Sequence, residues 1–204
     1  MNAKKHRIFI AINLPPDVKK QLASYQQKWP EIPAKWTSPE NLHITLEFLG
    51  DLTDEEMGDV CIIAKEVAKN HNCFSVDLLK VLYGPEHKMP PRMVWAEGEK
   101  SEELADLKND LQECLLEKIS FKPESRSFSP HITLARISEW QFKQIEPEER
   151  PEVDEYINLN FFVESIEVME SVLKHASRSP RVGAGQGGRC GPVYEVLESC
   201  ELKN

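Results

Sequence analysis

His43-Ile44-Thr45-Leu46 and His131-Ile132-Thr133-Leu134 are one tetrapeptide written twice in a chain of 204 residues. Each copy opens a β-rich stretch, His43 to Leu49 and His131 to Arg136. In an extended strand successive side chains alternate between two faces. Each copy therefore turns an imidazole and a hydroxyl one way, and Ile and Leu the other. Two such strands facing each other make a cleft floored by two histidines and two threonines. A single copy reads as a half-buried strand whose wetter face carries His and Thr. Two copies at corresponding places read differently. A core has no use for a second matched imidazole, whereas acid–base chemistry on a hydrogen-bond acceptor such as a phosphate does.

Outward from the motifs, strand and helix signals alternate. Arg7 to Leu14 is β-rich and ends at Pro15-Pro16, where a helix begins that carries Val18, Leu22, Tyr25 and Trp29 at helical spacing. Ala34 to Thr37 is a short candidate strand, and Ser38 to Asn41 a turn. The first motif strand stops at Gly50-Asp51. Thr53 with Glu56 spells a capping box, and the helix behind it gathers Met57, Val60, Cys61, Ala64, Val67 and Ala68 on one face. Phe74 to Leu82 and Met93 to Glu97 read as strands joined by a proline-bearing loop. Ser101 opens a helix with Leu104, Leu107, Leu111, Leu115 and Ile119 as its buried stripe. Glu146 to Glu155 reads as a solvated loop and Phe161 to Leu173 as one long strand. Arg178 to Gly191 reads as a mobile loop, and Val193 to Leu202 as a closing strand. A motif strand follows a helix in both halves. The pattern predicts an α+β fold over 1–204: one two-lobed, pseudo-symmetric duplicated domain, with two antiparallel sheets flanked by helices and a cleft between them.

Composition narrows the partners. The chain is 40% apolar and 29% charged, with a formal net charge of −9. A protein that coats long nucleic acid carries a basic face. An acidic chain repels polyanions overall, so any nucleic-acid contact is expected to be short, reading an end rather than a tract. An acidic enzyme with a small substrate fits the charge equally well. Five cysteines, an odd number with no Cys-x-x-Cys pair, read as reduced thiols of a cytosolic protein. Cys61, His71 and Cys73 match no common zinc spacing, and no metal is expected. No stretch approaches the roughly 18 apolar residues of a membrane span, and Ile8 to Leu14 is too short for a signal peptide. The expected protein is a cytoplasmic monomer without a membrane partner.

Beyond the motifs, further residues carry a resemblance. These are Arg7-Ile8-Phe9-Ile10-Ala11-Ile12 with Leu14-Pro15, Trp36 with Pro39-Glu40-Asn41-Leu42, and Glu47-Phe48-Leu49-Gly50. Phe128-Ser129-Pro130, Ala135-Arg136, Glu170-Ser171 and Tyr194 extend it nearly end to end. The chain resembles the 2H phosphoesterase superfamily, named for two His-x-Thr/Ser-x motifs. Within it the chain looks most like the RNA 2′,3′-cyclic phosphodiesterases, historically called 2′-5′ RNA ligases. The resemblance implies hydrolysis of RNA ends bearing 2′,3′-cyclic phosphate, possible reverse 2′-5′ joining, and no cofactor. It further implies that His43 protonates the leaving O3′, that His131 activates water, and that Arg136 meets the phosphate.

The residues themselves point to the same chemistry. Opening a cyclic phosphate with water needs one base and one acid, and imidazoles titrating near 6.5 supply both around neutrality. Thr45 and Thr133 are candidate donors to the non-bridging oxygens. Strict alternation places Arg136 on the Ile132 side, so it is expected to reach the phosphate from the strand end. Phe48 and Phe128 are candidates for stacking on the terminal base, with core packing as the alternative. Lys35 and Trp36 are candidates for the cleft rim. Arg178, Arg181 and Arg189 are candidates for the RNA backbone. His6, His71, His87 and His175 have no partner motif and read as surface residues. Two rival readings stand beside the first. One is an enzyme acting on a small cyclic nucleotide, ADP-ribose cyclic phosphate or 2′-5′ oligoadenylate. The other is a non-catalytic RNA- or nucleotide-binding module.

Overall fold

The computed structural model describes residues 4–85, 88–124, 127–173 and 192–204; Arg178, Arg181, Arg189, His87 and His175 lie outside them. Among the described residues nine strands form one sheet. They are β1 (His6–Asn13), β2 (Ala34–Trp36), β3 (His43–Leu52), β4 (Phe74–Gly84), β5 (Met93–Gly98), β6 (His131–Ile137), β7 (Asp154–Val163), β8 (Ser165–Leu173) and β9 (Pro192–Glu201). Their order is β7-β4-β5-β6-β3-β1-β8-β9, with β2 paired to β6, and every pairing is antiparallel. The helices are α1 (Pro16–Ser24), α2 (Asp54–Ala68), α3 (Glu102–Leu116) and the single turn α4 (Glu139–Phe142).

The α+β class and the pseudo-symmetry hold, and the two expected sheets prove to be joined. β3 meets β6 at one register pair, Ile44 opposite Ile132. Beyond it, β2 takes the edge of β6, with Lys35 opposite Arg136. A pseudo-twofold relation through that pair exchanges β3 with β6, β1 with β5, β8 with β4 and β9 with β7. Two boundaries differ from expectation. The stretch from Phe161 to Leu173 is not one strand: the chain breaks at Glu164 between β7, an edge strand, and β8, which lies next to the other edge strand, β9. β7 also starts inside the expected acidic loop, at Asp154, because Asp154 and Tyr156 find partners Leu82 and Lys80 on β4.

Alternation sends one face of each strand into the core. Ile8, Ile10 and Ile12 of β1, Ile44 and Leu46 of β3, Val94 and Ala96 of β5, and Ile132 and Leu134 of β6 are buried there. The same cluster takes Val60, Ile63, Ala64 and Val67 from α2 and the Leu104, Leu107, Leu111 and Leu115 stripe of α3. The capping box is present: Thr53 Oγ1 accepts from the Glu56 amide (3.3 Å) and the Glu56 carboxylate from the Thr53 amide (2.8 Å). Phe9 and Ala11 face the other way and join Met169 and Tyr194 in a small separate cluster. That opposite face holds the cleft.

Two histidines expected at the surface are structural. His6, 5% exposed, is clamped between Glu170 Oε1 on Nδ1 (2.8 Å) and Asp54 Oδ1 near Nε2 (3.0 Å). His71 is mostly covered and its Nε2 meets Asp110 at 2.9 Å. Cys61, Cys73, Cys114 and Cys200 are free thiols; Cys190 is outside the described residues.

Candidate active site

The register pair Ile44–Ile132 sets the geometry of the motifs. In an antiparallel ladder the residues on either side of that pair oppose each other crosswise, so His43 lies across from Thr133 and Thr45 across from His131. Opposed Cβ atoms lie about 4.5–5.5 Å apart, and diagonal ones about 7–8 Å. The two imidazoles are the diagonal pair. Each ring has the other motif's hydroxyl across the ladder from it.

Both rings are fixed the same way. His43 Nδ1 donates to the Asn41 carbonyl and His131 Nδ1 to the Ser129 carbonyl, each at 2.8 Å. A carbonyl only accepts, so each Nδ1 carries a hydrogen and each Nε2 is the atom left for proton transfer. His43 Nε2 lies 3.0 Å from Thr45 Oγ1, whose hydroxyl donates to the neutral ring. The 3₁₀ turn Pro39–Asn41 and the irregular segment Ser129-Pro130 before each strand place these carbonyls.

Each motif strand carries a register shift just past its Thr. On β3 the partners step from Ala11–Thr45 to Ile10–Glu47, and on β6 from Trp95–Thr133 to Val94–Ala135. Such bulges re-aim the side chains beyond them. Leu46 and Glu47 are consecutively buried, as are Leu134 and Ala135. The next residues, Phe48 and Arg136, are thereby returned to the imidazole face. This corrects the expectation from strict alternation: Arg136 does not need to reach around the strand end. Its Nη1 lies 3.9 Å from Met93 Sδ, and its charge acts on His43. Phe48 is 62% exposed and sits 6.0 Å from Phe9, ring to ring. Phe128 does not join it; it packs against the main core, as does Trp36. Lys35 is exposed and lies opposite Arg136.

The rings around the two histidines were not recognised from sequence. Phe9 lies 5.1 Å and Tyr194 5.2 Å from His43, the latter edge-on at 85°. Trp95 lies 4.1 Å from His131 with 31° between planes. Lys19 of α1 also faces the site, holding the Glu40 carbonyl at 3.1 Å. Burial, followed by the Lys19, His131 and Arg136 charges, pushes the His43 pKa down to about 4, against the opposing Asn41 hydrogen bond. An anion in the cleft offsets the positive charges. Strand periodicity alone places Trp95 on an alternating face, but only the β5–β6 register puts it beside His131.

Glu47 is turned into the helix layer by the same shift. It is 4% exposed and accepts from Lys108 Nζ of α3 at 2.9 Å. Lys108 also donates to Gln112. No helix among the described residues is long and apolar enough to cross a membrane.

A family model described as LigT like Phosphoesterase matches residues 12–95 and 97–182, one motif in each segment. The RNA 2′,3′-cyclic phosphodiesterase of Thermus thermophilus is 32% identical over 208 residues, covering 97% of this chain and 90% of that protein. The one from Methanothermobacter thermautotrophicus is 27% identical over 202 residues, covering 97% of this chain and all of its own. Among solved structures, TT0787 of Thermus thermophilus superposes with a TM-score of 0.76 at 30% identity, over 96% of this chain and 97% of its own. Both halves of the cleft fall inside the matched segments, and the chain belongs to the LigT-like phosphoesterase family.

Proposed function

We propose that this protein hydrolyses RNA ends bearing 2′,3′-cyclic phosphate to 2′-phosphomonoesters by acid–base catalysis between two imidazoles. The observation that carries the reading is the matched pair of anchored rings on adjacent antiparallel strands, each with Nδ1 tied to a backbone carbonyl. One ring removes a proton from water as it attacks phosphorus, and the other protonates the departing O3′. Each role contributes typically about 10²–10⁴-fold, and both are supplied without a metal. Thr45 and Thr133 donate to the non-bridging oxygens as charge builds there. Arg136, with Lys19 nearby, balances the phosphate charge. Phe48 offers an open face for the terminal base. The names of the full-length relatives support RNA ends as the substrate. With a ribose 5′-hydroxyl in place of water as nucleophile, the same site opens the cyclic phosphate to a 2′-5′ linkage, O3′ leaving as before, with hydrolysis dominant in water.

The net charge of −9 favours the second reading, a small cyclic nucleotide as substrate. Incubation in EDTA with a short RNA ending in 2′,3′-cyclic phosphate, and in parallel with mononucleotide cyclic phosphates, separates the two. Faster turnover of the RNA, with a 2′-phosphate product, is expected. Preference for mononucleotides overturns the RNA assignment, and turnover of neither overturns catalysis.

A further inference from the structure

The β8–β9 hairpin does not lie flat in the sheet along its whole length. β8 pairs with β1 only from Glu167 to Glu170, opposite Ala11 to Ile8. Past Glu170 the ladder continues between β8 and β9 alone, with Ser171 opposite Tyr194, Val172 opposite Val193 and Leu173 opposite Pro192. In the order β3-β1-β8-β9, three strand spacings separate β9 from β3, about 14 Å in a flat sheet. Side chains stand roughly perpendicular to a sheet, so a flat ribbon would leave Tyr194 far from His43. The two rings are 5.2 Å apart, edge-on at 85°. The ribbon therefore leaves the plane beyond Glu170 and bends over the cleft face.

A two-stranded ribbon is marginal by itself, so its placement depends on what it touches. Its root is fixed: Glu170, the last residue on the β1 ladder, meets His6 Nδ1 at 2.8 Å. Tyr194 lies 5.0 Å from Phe9, ring to ring, and packs on the cluster of Phe9, Ala11 and Met169. The start of β9 is tied by Asn41 Nδ2, which donates to the Pro192 carbonyl at 2.8 Å across 151 positions of sequence.

Asn41 has a second task. Its backbone carbonyl is the one that accepts from His43 Nδ1 at 2.8 Å. The same residue thus grips the catalytic ring with its main chain and the ribbon with its side chain. The 3₁₀ turn it ends is held in turn by Lys19 Nζ, which donates to the Glu40 carbonyl at 3.1 Å. The two grips are separable, because alanine at position 41 keeps the carbonyl and removes the amide.

We propose that Asn41 is a positioning residue whose side chain latches the start of β9 to the turn that anchors His43, and so holds Tyr194 against the His43 ring as a wall of the cleft. The latch acts on His43 through Tyr194 and not through the Nδ1 bond. Burial is the largest cause of the lowered His43 pKa, and Tyr194 is part of what covers the ring. Releasing the ribbon returns water to His43 and leaves the Lys19, His131 and Arg136 side chains unchanged, so the ring's titration reports the latch. The wall's part in turnover rests on the hydrolysis proposed above; the latch does not.

NMR of the full chain without substrate tests the latch. The parent should show a nuclear Overhauser contact between the His43 and Tyr194 rings. Asn41→Ala should weaken that contact and raise the His43 midpoint by about one pH unit or more, from about 4 toward 6.5. Tyr194→Ala should raise it at least as far, and the double variant no further than Tyr194→Ala alone, because the two act in series. A purely structural Asn41 would lower Tm and leave the midpoint where it was. Asn41→Asp keeps the shape of the side chain but, ionised, has no hydrogen to donate. It should speed amide hydrogen exchange at Val193 and Tyr194 about fivefold or more. An Asn41→Ala midpoint within about 0.3 pH unit of the parent, shifts that add in the double variant, or unchanged exchange in Asn41→Asp overturns the latch. On RNA ending in 2′,3′-cyclic phosphate, Asn41→Ala should lower kcat/KM about tenfold or more. An undiminished kcat/KM with a shifted midpoint overturns the wall's part in turnover, whereas no turnover by the parent overturns the hydrolysis alone.

Discussion

Lys108→Ala strands a carboxylate inside the sheet–helix interface. Glu47 is 4% exposed and Lys108 8%, and the two meet at 2.9 Å. Water does not reach Glu47 to replace the lost ammonium, and a buried charge left without its partner costs about 3–5 kcal/mol. At about 2–4 °C per kcal/mol for a domain of this size, the melting temperature should fall by about 6–20 °C. Replacing both charges together, Glu47→Leu with Lys108→Met, removes the desolvation penalty along with the attraction. That double variant should lie within about 1.5 kcal/mol of the parent. Urea unfolding followed by circular dichroism completes the cycle and yields the coupling energy. The pair also steadies the register shift between Thr45 and Phe48, so Lys108→Ala should lower activity although it touches no substrate. A single variant within about 1 kcal/mol of the parent would refute the reasoning. So would a double variant as unstable as the sum of the two singles.

Three other outcomes are expected. The folded His43 pKa of about 4 lies below the ordinary 6.5, so the neutral ring contributes stability that is fully present above pH 6.5. That contribution should fade as pH drops from 6.5 through 4, and His43→Gln should flatten this part of a stability–pH curve. Gly84→Ala forces a methyl into the Trp95 ring and should both destabilise by about 1–3 kcal/mol and lower kcat; unchanged kcat would show that the indole's seat does not matter to His131. Phe48→Ala, at an exposed site, should leave stability within about 0.5 kcal/mol while raising KM for RNA about fivefold or more; an unchanged KM would remove Phe48 from the base-binding surface.

The motif faces were legible in the sequence because alternation is a local property: His43, Thr45, His131 and Thr133 needed only the strand period. Arg136 and Phe48 were harder. Their direction depends on register shifts at Leu46 and Leu134, which arise from pairing with β1 and β5 rather than from any signal inside the motif. The burial of Glu47 had no local signal, because its partner is 61 residues away on α3. His6 read as surface for a similar reason. Nothing near it in sequence shows that Asp54 and Glu170 close on it from α2 and β8. The break at Glu164 was hidden because Glu164 and Ser165 interrupt the apolar residues only briefly, and both β7 and β8 need one buried face.

The central claim is that two imidazoles distant in sequence act on one phosphorus. Its most direct test is kcat/KM in EDTA, on an RNA ending in 2′,3′-cyclic phosphate, for the parent, His43→Ala, His131→Ala and the double variant. Each single substitution should cost at least about 10²-fold, and the double should cost far less than their product because the rings act as a unit. Near-parent activity in either single variant, or losses that simply multiply, would contradict it.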